Sequence, residues 1–373
     1  MLASQNGLKN ANGESMEKRY FALALLLAIP FLYYIFLRSD LLYYDSYHFA
    51  CLACGCDVPR DEAPLAFIFQ LLPCNLIVFK VLLYACALAS ILILEKTQRY
   101  AGFFAFLVLA FLLEFFRFEN DTLAYPFLFL AVFFFLKSYG QPEKFVLYQL
   151  CSVFSILIAC GFWGGSLFMP FILSAGQLAT SMWALSGLFI LFFGKQMFSW
   201  FFGSFNTAIV ENIPFMNLPF LFPALLLAPL GWKRSWYNPA WYALALSLIK
   251  PKLVVFSLIF LPIGIAQLVE KTPSAKRVCL TAAVMIALLS FVPFLSQQPH
   301  AEVHFAIDYA LQIAPDKHIS NDWDIGYIVK WHGGKTHSFG MPNRWSYEGI
   351  AVSREDLNCD LLQRFGDYAV WQC

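Results

Sequence analysis

The sequence predicts a mainly α protein: a polytopic membrane helical bundle, with a small outer α/β domain at its C-terminal end. Three observations lead there. Of 373 residues, 60% are hydrophobic and 13% charged, whereas soluble domains are about half apolar and about a quarter charged. Apolar runs recur from Tyr20 to Phe291 with short polar breaks. The segment from Gln297 to Cys373 then changes character, holding five of the six His and turn signals such as "HGGK" and "MPNRW". Net charge is +1 and no basic or acidic block occurs, so nucleic acid is not an expected partner. The 41 Phe, with Trp and Tyr, suit lipid-facing helices and interfacial belts.

The apolar runs fall at 20–37, 75–94, 101–116, 122–136, 145–160, 165–176, 180–194, 214–231, 238–249, 253–269 and 278–296. A crossing takes about 20 residues, so these amount to about eleven spans, with two of the shorter ones open to a re-entrant reading. The first run is long enough to stay in the membrane rather than leave as a signal peptide. Lys9, Lys18 and Arg19 precede it, and Lys96, Arg99, Lys137, Lys144, Lys233, Arg234, Lys271, Lys276 and Arg277 fall in alternate loops. Basic loops stay on the cytoplasmic side. The expected layout is therefore a cytoplasmic tail at 1–19, a transmembrane region at 20–296 and an outer domain at 297–373. Outer loops fall at 38–74 and 195–213. Within the outer domain, Glu302 to Gln312 reads as a helix, while "YIVKW" and "YAVW" alternate as strands.

Ten Cys include Cys51, Cys54 and Cys56 close together and Cys359 and Cys373 near the end. A zinc ribbon needs a second pair at ribbon spacing, which is absent. Small, partly buried thiols are the preferred reading, and a disulfide on the outer face stays open.

Carboxylates collect at four places that the charge pattern assigns to the outer side. These are Asp45 in "YYDSYHFACLACG", Glu119 and Asp121 in "FRFENDTLAYPF", Glu211 in "FNTAIVENIPF", and Asp322 and Asp324 around Trp323 in "SNDWDIGYIVKW". Asp45 also reads as a helix cap, and the others as solvated turns or loop charges. Acids flanked by long apolar runs are functional candidates by default. Hard oxygen donors from two loops suit Mg²⁺ or Mn²⁺, with Asp45 facing the Glu119/Asp121 turn. A divalent ion at a membrane surface suits a phosphate or diphosphate leaving group. Lys250 and Lys252 in "SLIKPKLVVF" read either as interfacial snorkelling or as a clamp on a lipid-linked phosphate. Arg117 is placed to pair with the acidic turn, and His48 stands one helical turn after Asp45.

These motifs, in this order, resemble the catalytic subunit of oligosaccharyltransferase, a membrane glycosyltransferase of the GT-C fold. "DSYHFA" is similar to its first-loop acidic motif, and "ENDTLAYPF" to its D-x-D-type motif. "GFWGG" sits where a Trp-containing turn follows the fifth span. "TAIVENIP" is similar to its outer-loop Glu element, "KPKLVVF" to the segment that meets the lipid phosphate, and "DWDIGYIVKWHGGKT" to the W-W-D-Y-G signature. The resemblance implies transfer of a glycan from a polyprenyl-(di)phosphate lipid to an acceptor asparagine of a polypeptide. It implies Mn²⁺ or Mg²⁺ on Asp45, Glu119 and Asp121, and catalytic roles for Asp45 and Glu211 beside the acceptor amide. Lys250 and Lys252 would bind the lipid phosphate, and Trp323, Asp324 and Glu211 the acceptor. A cell membrane, as for the single-subunit enzymes of archaea and bacteria, follows from the same resemblance.

The sequence departs from the signature at Asp322, where the first Trp would stand, and at Ile325, where the Tyr would stand. The chain after Gly326 is short, without the further motif that completes the family's hydroxyl pocket. The alternative reading is therefore a GT-C glycosyltransferase using a polyprenyl-phosphate monosaccharide, with a lipid, glycan or Ser/Thr acceptor. A transporter reading predicts charges inside the spans, where Glu114 is the one clear acid.

Overall fold

The computed structural model describes residues 2–38, 40, 41, 44, 46–57, 65–107, 115–174, 180–202, 225–232, 238–249, 253–270, 272–289, 301–314, 316–322, 324–336 and 347–373. Among the described residues the chain is mainly helical, with a small mixed sheet near its end.

The helices are α1 (Leu2–Leu37), α2 (Ser46–Cys54), α3 (Leu76–Thr97), α4 (Ala101–Phe104), α5 (Asn120–Gly140), α6 (Phe145–Phe162) and α7 (Met169–Ser174). They continue with α8 (Thr180–Phe202), α9 (Leu227–Gly231), α10 (Pro239–Ile249), α11 (Val254–Val269), α12 (Pro273–Leu289), α13 (Ala301–Ile313) and α14 (Gly326–Trp331). Among the described residues, four stretches are long and apolar enough to cross a membrane: Glu17–Phe36, Leu76–Thr97, Asp121–Gly140 and Pro142–Phe162. Several other runs expected to cross are shorter helices here. The run at 101–116 opens as α4 and a 3-10 turn at Ala105–Leu107. The run at 165–176 holds a 3-10 turn at Gly164–Phe168 and the six-residue α7. At 1.5 Å per residue neither helix alone spans the roughly 30 Å hydrocarbon layer.

The chain divides into two compact units. The first comprises residues 1–33, 84–115 and 123–290. A close helix contact in it is between two glycines: a Cβ on Gly231 would lie 2.0 Å from the Gly264 carbonyl oxygen, and one on Gly264 would lie 2.5 Å from the Ala228 carbonyl oxygen. Side-chain-free positions let α9 meet α11 backbone to backbone, the device by which apolar helices pack without a hydrophobic driving force. The "GFWGG" turn works similarly. Trp163 leaves α6 in extended conformation, and its ring fills the space where a Gly165 side chain would be. That ring then packs on Phe256 at 5.7 Å and Tyr125 at 6.4 Å.

The second unit comprises residues 34–83, 116–122 and 291–373. Its sheet has β1 (Ile319–Asn321), β2 (Ile350–Ser353), β3 (Asp360–Phe365) and β4 (Tyr368–Gln372), in the order β1-β2-β4-β3. The pair β1–β2 is parallel and the other pairs are antiparallel. β3 and β4 form a hairpin whose tight turn places Gly366 at φ +56°, the left-handed conformation such turns demand. α13 buries Val303, Ala306, Ile307 and Ala310, one stripe at helical spacing. The helix expected over Glu302 to Gln312 and the strand expected at "YAVW" are both present.

"YIVKW" is not a strand: residues 327–331 belong to α14, which buries Gly326, Ile328 and Val329. Its β-branched residues lose little in the helix because tertiary burial outweighs local propensity. Gly333 at φ +80° ends it. The cysteines also correct the sequence reading. Cys54–Cys74 and Cys359–Cys373 are disulfides, while Cys51 and Cys56 remain thiols. Cys359 and Cys373 flank the open end of the β3–β4 hairpin, where cross-strand neighbours stand close enough to bridge.

Candidate functional site

The acidic turn before α5 is held by short-range hydrogen bonds and by one long-range one. Arg117 Nε donates to Glu119 Oε1 at 2.9 Å, the Thr122 amide donates to Asp121 Oδ1 at 2.8 Å, and the Thr122 hydroxyl donates to the Arg117 carbonyl at 2.6 Å. Asp121 lies in the first turn of α5, where the helix dipole favours a carboxylate. The long-range bond runs from the Phe118 amide to Ser46 Oγ at 2.8 Å. Phe118 is buried against Phe69 and Phe79, with centroids 5.3 and 4.4 Å away. The first-loop motif and the acidic turn are thus joined at Ser46, and both Glu119 and Asp121 are buried.

A second constellation lies in the same unit. The Leu41 amide donates to the Tyr47 hydroxyl at 3.1 Å, which stands 3.1 Å from His304 Nε2. His304 Nδ1 lies 2.8 Å from His332 Nε2, and His332 Nδ1 lies 2.7 Å from Asp308 Oδ1. One orientation satisfies every member. The Tyr47 hydroxyl accepts from Leu41 and donates to His304, His304 donates from Nδ1 to His332, and His332 donates from Nδ1 to the Asp308 carboxylate. Burial, and then the facing His332, lower the His304 pKa to about 4, so its ring is neutral at pH 7. Burial also holds the Tyr47 hydroxyl well above its ordinary value. Arg38 pairs with Asp40 at 2.6 Å, and Asp40 comes within 4.0 Å of His304.

The "DWDIG" acids form a third group. Asp322 accepts from the Tyr347 hydroxyl at 2.8 Å and from the Arg354 amide at 2.9 Å. The Arg354 guanidinium bonds Asp324 Oδ2 and reaches Asp322 at 3.5 Å. Asp324 is buried, and that burial raises its carboxyl above the usual range against the pull of Arg354. Its other oxygen, Oδ1, is buried with no hydrogen-bond partner among the described residues. Beside the guanidinium, the Tyr44 and Tyr368 hydroxyls are 2.6 Å apart, and the Arg354 charge stands 5.7 Å from the Tyr368 ring centroid.

Of the residues singled out in the sequence, Glu119, Asp121, Asp322 and Asp324 are described, together with Arg117, which pairs as its position suggests, and His48. His48 is buried against Phe49 and Tyr327 at 4.9 and 4.7 Å. Asp45, Glu211, Lys250, Lys252 and Trp323 lie outside the described residues. Sequence reasoning passed over Tyr47, His304, Asp308, His332 and Arg354. His304 and Asp308 stand four apart on the expected helix, and that shared face was the available signal.

Among the described residues, no group of three His, Cys, Asp or Glu side chains is arranged to hold a metal ion. Glu119 and Asp121 are two buried carboxylates on one turn, and it is the Phe118 amide of that turn that bonds Ser46, the sequence neighbour of Asp45. Paired carboxylates are the hard oxygen donors that Mn²⁺ or Mg²⁺ prefers. Compared with protein-family models, with curated proteins and with solved structures, the chain matches none.

Proposed function

We propose that the protein is a GT-C-type membrane glycosyltransferase that moves a glycan from a polyprenyl-(di)phosphate lipid to an acceptor asparagine on the outer face of the membrane. The single observation that carries this reading is the Phe118–Ser46 hydrogen bond. It ties two sequence-distant acidic motifs to one place, as a carboxylate site built from two loops requires.

In this reading the asparagine amide nitrogen bonds the anomeric carbon, the carbon–oxygen bond breaks with its electron pair leaving on the phosphate, and the nitrogen gives its proton to the carboxylate of Asp45 or Glu211. Asp45, Glu119 and Asp121 would hold Mn²⁺ or Mg²⁺, which when bound supplies positive charge beside the developing anion. Asp45 and Glu211 orient the amide N–H groups by accepting from them. Lys250 and Lys252 offset the charge of the leaving lipid phosphate. Trp323 and Asp324 border the acceptor, with Asp324 Oδ1 free to accept from a hydroxyl. Arg117 keeps the Glu119 side chain in place through its ion pair. The eleven-span layout and the cell-membrane location belong to this proposal.

The second reading transfers a sugar from a polyprenyl-phosphate monosaccharide to a lipid, glycan or Ser/Thr acceptor. A specific observation favours it: Asp322 and Asp324 already spend three of their four oxygens on Tyr347 and Arg354. Purified protein with Mn²⁺, a polyprenyl-diphosphate oligosaccharide and an Asn-x-Thr peptide tests both. Peptide glycosylation lost in Asp45→Ala and in Glu119→Ala supports the first reading, and transfer only to another acceptor supports the second. Transfer indifferent to chelator and to both substitutions sinks the carboxylate site.

A further inference from the structure

We propose that the first unit carries a binding pocket for a phosphate group, of the kind presented by an anionic phospholipid, between the C-terminal ends of α3 and α5. The pocket encloses about 370 Å³ and is lined by Lys96, Thr97, Gln98, Lys137, Trp232 and Gln267, with Phe133, Leu136 and Ile263 as its apolar part. Ligand pockets start at roughly 300 Å³, so its size suits a headgroup rather than one bound water.

Its chemistry is cationic and donor-rich. Lys96 and Lys137 lie in the last turns of α3 and α5, and their ammonium groups stand 5.5 and 5.3 Å from the same Phe133 ring centroid. Among the described residues neither is paired with a carboxylate. Lysines at helix C-termini complement the exposed carbonyls, a role one cation per end already fills. Two cations on one ring repel each other, and an anion seated between them removes that repulsion.

Trp232 adds a donor. The glycine contact between α9 and α11 brings the residue after Gly231 to the pocket wall, where its ring meets Phe260 at 5.9 Å. Its indole N–H is buried with no acceptor among the described residues. Just beyond the pocket, Arg19, Arg99 and Lys276 surround the Tyr100 ring at 5.6, 5.0 and 4.8 Å. Arg19 is paired with Glu95 at 3.2 Å, so the surplus charge of this end is positive.

Location selects the source of the phosphate. Leu76–Thr97 and Asp121–Gly140 are each long and apolar enough to cross a membrane, and both end at the pocket. Headgroups lie at the ends of spans, and basic pockets between helices are where anionic headgroups dock. The site makes no use of the acidic residues assigned to glycan transfer, so it stands or falls separately from that reading.

The test uses full-length protein in nanodiscs of phosphatidylcholine with titrated phosphatidylglycerol, read by native mass spectrometry of retained lipid. A parallel arm titrates glycerol 3-phosphate in solution. The pair Lys96→Gln and Lys137→Gln is expected to weaken phosphatidylglycerol retention on the order of tenfold or more, with unfolding temperature little changed. Trp232→Phe, which keeps the ring and removes the donor, is expected to weaken it severalfold. Lys144→Gln with Arg277→Gln removes the same charge away from the pocket lining and is expected to have little effect. Loss confined to the lipid arm identifies a lipid site, and equal loss in both arms a site for any phosphate ester. Retention that falls equally in both paired variants, or shows no preference for phosphatidylglycerol over phosphatidylcholine, overturns the proposal.

Discussion

His304 Nδ1 lies 2.8 Å from His332 Nε2, which leaves room for one proton between the two rings. With the His304 ring neutral, the hydrogen-bond chain from Leu41 through Tyr47 to Asp308 is complete. A proton on His304 would sit on Nε2, where the Tyr47 hydroxyl now donates. The pair thus makes one segment of the fold sensitive to acid.

That sensitivity has a sign. The folded-state pKa of His304 is lowered to about 4 from 6.5, so below pH 6.5 the unfolded chain takes up a proton that the folded one refuses. Stability from this group is complete above pH 6.5 and is lost as pH falls toward 4, amounting to about 3 kcal/mol. Asp40, Arg38, Tyr47, His332 and Asp308 are the charged or titratable groups around it. Asp324 acts oppositely: its pKa is raised, so its contribution is present below 3.8 and lost as pH rises through the raised value. Unfolding midpoints at pH 5 and 7.5 separate the two, because His304→Gln is expected to flatten the acid-side loss and leave the Asp324 effect.

Arg354→Ala leaves Asp322 and Asp324 as uncompensated buried acids, a change that costs about 3–5 kcal/mol in comparable buried pairs. Arg354→Lys keeps the charge but loses the planar fork, and is expected to fall between wild type and Ala. Adding Asp324→Asn to Arg354→Ala is expected to recover part of the loss. Denaturant unfolding of the three variants checks the order, and additivity of the two changes would refute the coupling.

Ser46→Ala removes the acceptor for the buried Phe118 amide, costing about 1–3 kcal/mol. If the acidic turn is a metal site, the same change is expected to weaken Mn²⁺ binding severalfold by calorimetry, and Ser46→Thr to preserve it. Unchanged affinity in Ser46→Ala would detach this hydrogen bond from the site.

Replacing Cys359 and Cys373 by Ser opens a loop of 14 residues, and the chain-entropy cost is about 3 kcal/mol. Because reduction also opens Cys54–Cys74, the oxidised double variant is expected to unfold between the oxidised and the fully reduced wild type in thermal scans.

Gly264→Ala places a methyl group 2.5 Å from the Ala228 carbonyl oxygen, and α9 must move to admit it. Overpacking of this kind costs about 1–3 kcal/mol. Because Trp232 follows α9 directly, this variant is also expected to lose anionic-lipid retention, whereas Gly187→Ala, with open space around its Cβ, is expected to change neither property.

Composition and apolar periodicity by themselves determined the helical character, the membrane-length stretches and the amphipathic helix at Ala301–Ile313, because burial in lipid or against a sheet leaves a one-dimensional record. Alternation also determined the strand at Tyr368–Gln372. It misled at Gly326–Trp331, where packing of Ile328 and Val329 overrode a β-branched pattern. Spacing exposed Glu119 and Asp121 as candidates, since acids among apolar runs stand out in the sequence. Only the tertiary structure decided that Ser46 meets Phe118, that Cys54 pairs with Cys74, that His304 faces His332, and that Arg354 claims both acids of the "DWDIG" segment. Those partners lie 20 to 72 residues apart, beyond the reach of any helical or strand period, and each is chosen by shape and polar satisfaction in a buried interior.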